Sequence, residues 1–466
     1  MEEMIFVRVR KYGDGWTRRH FLEQTAKGVM AAGVIAPLWD TIAGTANCQA
    51  AYPPELLSLE AYTKGKLKAG QVLDASNVDI VKELLDPIAY WQIKSDGRVV
   101  DLVPTQTDLR KLTFVPFLEA TIRNRGVHHI AANGNVYTKD GKPWIGGNPF
   151  PDPKTPEELL YSNALAWGRH DAEADAMREW DTDGDGVTHY TYENYFVQTQ
   201  TVGRVVLNPK PYLSGHENQL RLMTILVVAP QDVAGTGTFT VWHYDQRRFP
   251  TAYAYLPTTK RIRTFPPYER FDPMLPGSTM FVSDAWMVGD PLLTWGDFKL
   301  ISKGPALACV SQGAFASNPD WKIPVCGGKS GTKYFRTRME LVPEAYVAEL
   351  KPVHFKECPY SKKWVWYDAR TLNPMTMVGY DATNKPLHQH ETGYGIFARQ
   401  PGAAWNKSVP EQFWAWTHLH AMDMKTGKMS RVQLIPATAG GYACAFDDAK
   451  LFSSYGSLDA LNRLGE

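Results

Sequence analysis

The sequence lacks the signatures around which many catalytic and nucleotide-binding sites are built. No Gly-x-Ser-x-Gly elbow presents a serine nucleophile, and no Gly-x-x-x-x-Gly-Lys-Ser/Thr loop can cradle phosphates. The Gly-x-Gly at Gly235 and Gly237 falls in a turn between strand-like runs, not in a dinucleotide fingerprint. No two cysteines stand at Cys-x-x-Cys spacing, which argues against a thiol-based zinc or redox site. An excess of one charge is missing too: Lys+Arg 50 against Asp+Glu 49 leave a formal charge of +1 over 466 residues. No molecule-wide field therefore draws the chain to nucleic acid or an anionic membrane. The apolar stretch near the start is shorter than the roughly 20 residues a membrane-spanning helix needs.

What is present is a 44% hydrophobic composition that can bury a core, with 15 Trp and 22 Tyr spread along the chain. Aromatic residues are strand formers, and they also suit the wall of a wet-edged cavity because each combines a large apolar face with one polar handle at most.

The run Thr17-Arg18-Arg19-His20-Phe21-Leu22, followed by the mild apolar stretch Gly28 to Ala36, resembles a twin-arginine export signal. The small-residue site Cys48-Gln49-Ala50 predicts cleavage after Ala50 and a periplasmic mature protein. Lipidation of Cys48, which would anchor the chain at the outer membrane, is the alternative; Asn47 occupies a position where a small residue belongs. Cleavage leaves Cys309, Cys326, Cys358 and Cys444, an even number in an oxidising compartment, so disulfides are expected. Of the three possible pairings, Cys309 with Cys326 and Cys358 with Cys444 are favoured.

Three segments follow from the pattern: residues 1–50 as the signal, 51–153 as a mixed helix and loop region, and 154–466 as a β domain. Val78 to Leu85 has amphipathic helical spacing, stopped by Asp86-Pro87. Thr155-Pro156-Glu157-Glu158 opens a second helix, expected to run through Trp167, with proline in its first turn and acids at its positive end. From about Thr188 the grammar becomes β. Leu220–Val228, Phe239–Tyr244, Ala252–Leu256 and Arg261–Phe265 are separated by tight turns, too short for parallel crossovers, and the same format resumes at Trp364–Asp368 and Met375–Tyr380.

The strand Phe413 to Met424 carries the ligand-binding candidates. A period of two places Trp414, Trp416, His418, His420, Met422 and Met424 on one face. A strip of large, polarizable groups would line a roomy cavity; an ordinary sheet and helix contact would use it equally well.

Several stretches together resemble domain-of-unknown-function family 1329, an envelope family with likeness to outer-membrane lipoprotein-sorting proteins. They are Gly147-Asn148-Pro149-Phe150-Pro151, Tyr255-Leu256-Pro257 through Arg261–Pro266, Gly296–Leu300, Tyr346–Leu350, Trp366-Tyr367-Asp368 and Gly379-Tyr380-Asp381. The resemblance implies a mostly β fold of the α+β class: a large, half-open antiparallel β-barrel covering helices, similar to the Lol lipoprotein carriers. It further implies a periplasmic shuttle for lipid or another hydrophobic molecule, working with an inner-membrane exporter or an outer-membrane protein. It carries over no catalytic residue, and no cofactor is expected.

Two metal readings compete with that picture. Asp181, Asp183 and Asp185, with Gly186, open like a calcium-binding loop, but Tyr192 stands where the bidentate glutamate belongs, and the Asp-Gly pairs fit a hairpin turn better. His388 and His390, beside Glu391, and the pair His418 and His420 would form a metalloenzyme site if their strands were neighbours; satisfied or solvent-facing histidines are the competing reading. A structural envelope protein that binds no small molecule is the third reading.

Overall fold

The computed structural model describes residues 52–167, 169–284, 291–311, 322–354, 356–398 and 412–465. The export segment, Cys48 and the cleavage site expected after Ala50 lie outside them.

The first hundred described residues contribute small elements that brace the sheet. Helix α1 (Leu59–Tyr62) and strand β1 (Val72–Leu73) come first. Val78–Leu84 then forms 3-10 turns rather than an α-helix, broken at Val81 (φ −122°, ψ 17°). Its buried residues Val78, Val81 and Leu84 stand three apart, the period that a 3-10 turn stacks on one side. Helix α2 (Pro87–Ser95) starts where Asp86 accepts hydrogen bonds from the Ile88 and Ala89 amides at 2.9 and 3.0 Å. Strand β2 (Val100–Leu102), helix α3 (Val115–Arg123) and the hairpin of β3 (His128–Ile130) with β4 (Val136–Thr138) follow. Helix α4 (Pro156–Ala164) is capped by Thr155, whose Oγ1 accepts from the Glu158 amide at 3.2 Å. It ends before the expected Trp167, because Arg221 takes the carbonyls of Ala164 and Leu165 that another helical turn would use.

The β region opens with the meander β5 (Ala172–Thr182), β6 (Thr188–Gln200), β7 (Gln219–Ala229), β8 (Gly237–His243), β9 (Thr251–Leu256) and β10 (Arg261–Phe265). After it come β11 (Trp295–Val310), the short pair β12 (Val325–Cys326) and β13 (Tyr334–Phe335), and the long β14 (Arg338–Pro352). Strands β15 (Lys362–Asp368), β16 (Pro374–Tyr380), β17 (Pro386–Ala398), β18 (Gln412–Asp423) and β19 (Met429–Leu434) continue the antiparallel order. The chain closes with β20 (Ala445–Phe446), α5 (Lys450–Tyr455) and α6 (Leu458–Gly465).

One 16-stranded sheet results, because β19 pairs with β5 from Met429↔Thr182 to Leu434↔Met177 and so joins the two meanders. The sheet curls unevenly. Strand β11 pairs along β14 and meets β17 through Val310↔Tyr394, closing a circuit through β14, β15, β16 and β17. At the other end β10 pairs, among the described residues, with β9 alone, so the barrel stays half open.

Helices flank this sheet on different sides. On the convex side, Leu461 of α6 is fully buried among Leu222, Phe239 and Tyr255, and Thr224 donates to the Tyr455 carbonyl at 2.8 Å. On the concave side, α4 closes one end. The N-terminal region is tied in by polar contacts as well as packing: β2 runs parallel to β14, and Gln92 of α2 donates to Gln389 of β17 at 2.7 Å.

Candidate functional site

Alternate residues of the concave face line a hollow. Met177 of β5, Phe196 of β6, Met223, Ile225 and Val227 of β7, and Trp242 of β8 form one wall; Tyr394 of β17, Trp414, Trp416 and Leu419 of β18, and Val432 and Leu434 of β19 form the other. Water-sized molecules can centre themselves in about 270 Å³ of it, within about 2070 Å³ of atom-free space that runs out to solvent. A packed core leaves no volume of this size, since protein interiors hold few voids larger than a water molecule. Asn163, Trp167 and Arg169 close one end, and the segment from Phe265 to Val282 lies over the sheet as a strap, contributing Arg270, Met274, Leu275 and Met280.

The strap is hooked to the sheet by short polar contacts. Ser278 Oγ donates to Glu179 Oε1 at 2.9 Å, and Thr279 donates through Oγ1 to the Ala421 carbonyl at 2.7 Å. The Thr279 amide donates to Ser430 Oγ at 2.8 Å, which itself donates to Asp181 Oδ1 at 2.5 Å. These are buried hydrogen bonds, so opening the strap would expose or strand several polar groups at once.

The candidate strip on β18 is divided by the fold. Gly393 of β17 opposes His418, but the next residue, Tyr394, opposes Trp416, so Thr417 is an extra residue, a β-bulge. A bulge reverses which residues face inward. Trp414 and Trp416 line the hollow as expected, whereas His418, His420, Met422 and Met424 do not. His420 Nε2 accepts from the Phe335 amide at 2.9 Å, Met422 Sδ accepts from Gln92 at 3.2 Å, and His418 Nδ1 shares a hydrogen bond with Thr417 Oγ1 at 2.9 Å. Met424 packs at the edge of the cluster around Met422 and Met429.

The same register removes the histidine metal site. His388 and His390 oppose Asp423 and Ala421, while His418 and His420 oppose Gly393 and Glu391, which places the two pairs on opposite faces of neighbouring strands. Among the described residues no group of three or more His, Cys, Asp or Glu is placed to hold a metal ion. The calcium-like loop is a hairpin. Asp181 is buried against Ser430; Asp183 accepts the Asp185 and Val187 amides at 3.0 Å and pairs with His189 at 2.9 Å; Asp185 pairs with Lys329 at 2.8 Å. The three carboxylates share no centre.

The expected disulfides do not form either: Cys309, Cys326, Cys358 and Cys444 are free thiols. Cys309 Sγ donates to Glu391 Oε1 at 2.5 Å, and Cys444 Sγ contacts the Ile435 carbonyl at 3.4 Å, each held in a different part of the core.

Sequence reasoning missed the polar residues on the cavity floor. Along β5 the carboxyls of Glu173, Asp175 and Glu179 all face the hollow. Burial pushes Asp175 up to about 7, and burial with the nearby Asp175 and Asp447 holds Glu173 well above the ordinary range. Burial and then Asp181 raise Glu179 in the same direction. His390 also faces the hollow; burial depresses it to about 3, so it is neutral, and its Nδ1 has no hydrogen-bond partner. The available signal was Ala172-Glu173-Ala174-Asp175-Ala176, in which acids alternate with alanines; the alanines pack tightly on the other face, at 0 to 1% exposure.

The family model described as protein of unknown function DUF1329 matches residues 72–456. Among curated proteins none matches the chain. Similar solved structures include a DUF1329 family protein from Desulfovibrio piger, 15% identical, covering 65% of this chain and 96% of that one with a TM-score of 0.41. A domain assigned to outer membrane lipoprotein sorting from Vibrio parahaemolyticus is 14% identical and covers 67% of this chain and 99% of its own, with a TM-score of 0.41. A LolA superfamily protein from Nitrosomonas europaea is 12% identical, covers 60% and 92%, and has a TM-score of 0.33.

Proposed function

The chain belongs to the DUF1329 family, and on that footing we propose that it is a carrier that holds a lipid or another hydrophobic guest in the hollow of its half-open sheet. The observation that carries this reading is the hollow itself: about 270 Å³ open to the centres of water-sized molecules, walled by Trp, Phe, Met and branched aliphatic side chains and bridged by a strap. Apolar surface removed from water stabilises a complex by about 25 cal/mol per Å², so an acyl chain or fused-ring guest would gain from entering. Met and Trp side chains adapt to guests of varied shape, as a carrier requires.

The twin-arginine-like start supports a periplasmic setting for this activity, in which the carrier would work with an inner-membrane exporter or an outer-membrane protein. Binding rather than catalysis is the proposal, since the described walls of the hollow are mainly apolar.

The test is uptake of a fluorescent fatty acid by the purified protein and by a Thr238→Trp variant. Thr238 lies on β8 and lines the hollow, so an indole there fills space the guest needs. Saturable uptake that the variant reduces by about tenfold, equivalent to about 1.4 kcal/mol, supports the carrier reading. No uptake by the unaltered protein, or equal uptake by the variant, refutes it.

A further inference from the structure

We propose that the guest bears an amine or ammonium head, and that Glu173 and Asp175 on the floor of the hollow receive it. This deepens the carrier reading and rests on it. Glu173 and Asp175 are 4% and 1% exposed, sit two residues apart on β5 and both line the hollow. Glu173 Oε1 has no hydrogen-bond partner, and Asp175 Oδ2 accepts one hydrogen bond, from Trp416 Nε1 at 3.2 Å. A buried carboxyl oxygen without a donor costs free energy, and a donor on a guest inside the cavity would relieve that cost.

The rings beside these acids indicate the charge of that donor. Phe446 is the cross-strand neighbour of Glu173 and Phe196 that of Asp175, and both rings line the hollow. Trp416 bonds Asp175 directly, and Trp167 stands edge-on to Phe196 with centroids 5.9 Å apart. Carboxylates set among aromatic faces are the chemistry that recognises ammonium groups, because the negative faces of the rings attract a cation that the acids also neutralise.

The nearby arginines do not favour an anionic head instead. Arg169 donates to the Thr371 carbonyl and lies over the Phe117 ring at 5.3 Å; Arg221 donates to the Ala164 and Leu165 carbonyls and lies over Trp242 at 5.7 Å. Each thus spends donors on backbone oxygens and a ring face and keeps its Nε without a hydrogen-bond partner, while Arg270, which also lines the hollow, lies over the Phe249 ring at 5.9 Å. The charged groups in range of Glu173 are Asp175 and Asp447, which raise its affinity for a proton, and Arg221, which lowers it. An arriving ammonium takes the place of a proton on this acid pair, and that proton leaves to solvent.

The test is competition against a neutral fluorescent lipid probe at neutral pH and physiological salt, using dodecylamine, dodecanol and dodecanoate. Chain length is constant, so the head group alone differs. Dodecylammonium should displace the probe at about tenfold lower concentration than the alcohol or the carboxylate, a difference of about 1.4 kcal/mol. A protein with Glu173→Gln and Asp175→Asn should lose that preference and still bind dodecanol. Dodecanoate equalling or beating the amine, or the doubly substituted protein keeping the preference, overturns the proposal while leaving the carrier reading intact. Failure of the probe and all three amphiphiles to bind overturns both. Should the substituted protein not fold, the ranking of head groups on the unaltered protein decides.

Discussion

Replacing Arg98 with methionine should destabilise the protein strongly at neutral pH and much less in mild acid. Arg98 is fully buried and Glu391 is 5% exposed; the guanidinium meets the carboxylate twice, Nη2 to Oε1 at 2.5 Å and Nη1 to Oε2 at 2.8 Å. It also donates to Gln92 Oε1 at 2.6 Å and Thr337 Oγ1 at 3.1 Å, joining the N-terminal region to β17 and the start of β14. Methionine keeps much of the apolar stem but leaves Glu391, among the described residues, with the Cys309 thiol as its remaining hydrogen-bond donor, at 2.5 Å. Removing one partner of a buried ion pair typically costs about 3–5 kcal/mol.

The pH dependence of that loss follows from Glu391. Burial alone would raise it, but the adjacent Arg98 outweighs burial and holds it below the ordinary 4.5. In the intact protein its contribution is therefore complete above the unfolded value and is lost as pH falls through the folded one. Without Arg98, burial is opposed only by the weaker effects of the Cys309 thiol and His418, and the folded value is expected to move above 4.5. The carboxyl then binds its proton more readily folded than unfolded, so the penalty is greatest at high pH and shrinks by about 1.4 kcal/mol per pH unit between the raised value and the unfolded one. Urea unfolding followed by tryptophan fluorescence, at neutral pH and near pH 5, reads both effects. A loss below about 1 kcal/mol, or one that does not change with pH, would refute a buried, charged pair.

Other substitutions probe different parts of the structure. Gly147 has φ +75°, and a Cβ there would lie 2.3 Å from the Thr121 amide nitrogen of α3, so Gly147→Ala should cost more than about 2 kcal/mol in chemical denaturation. Leu461→Ala on the convex side should cost about 2–5 kcal/mol, while the folded fraction takes up fluorescent fatty acid as before. Thiol titration in denaturant without reductant should find Cys309, Cys326, Cys358 and Cys444 all reactive, with buried Cys309 and Cys444 the slowest in the native protein; a deficit of two or four thiols would show that disulfides form.

Local order was legible because local rules set it. The meander from Leu220 to Phe265 appears as β7 to β10, since its turns are short and its strands rich in branched and aromatic residues. Thr155 caps α4 as its position before Pro156 implied. Three features escaped because they depend on partners far away in sequence. The bulge at Thr417 turns His418 and His420 away from Trp414 and Trp416, and nothing in an unbroken alternation marks where a strand will gain a residue. Arg98 and Glu391 are 293 residues apart, so their pairing left no spacing to find. Glu173 and Asp175 carry no sequence signal of burial, because acids alternating with alanine ordinarily face solvent; here α4, the strap and β18 cover the face they occupy. The half-open sheet and its hollow were anticipated from family resemblance, whereas the carboxyl floor was not.

The most direct test of the central claim is mass spectrometry of the organic extract from protein purified from its native cells without detergent. A carrier should release a hydrophobic compound in roughly stoichiometric amount, reduced by about tenfold in the Thr238→Trp protein. An extract with no such compound, from a protein that also refuses added lipid, would contradict the account.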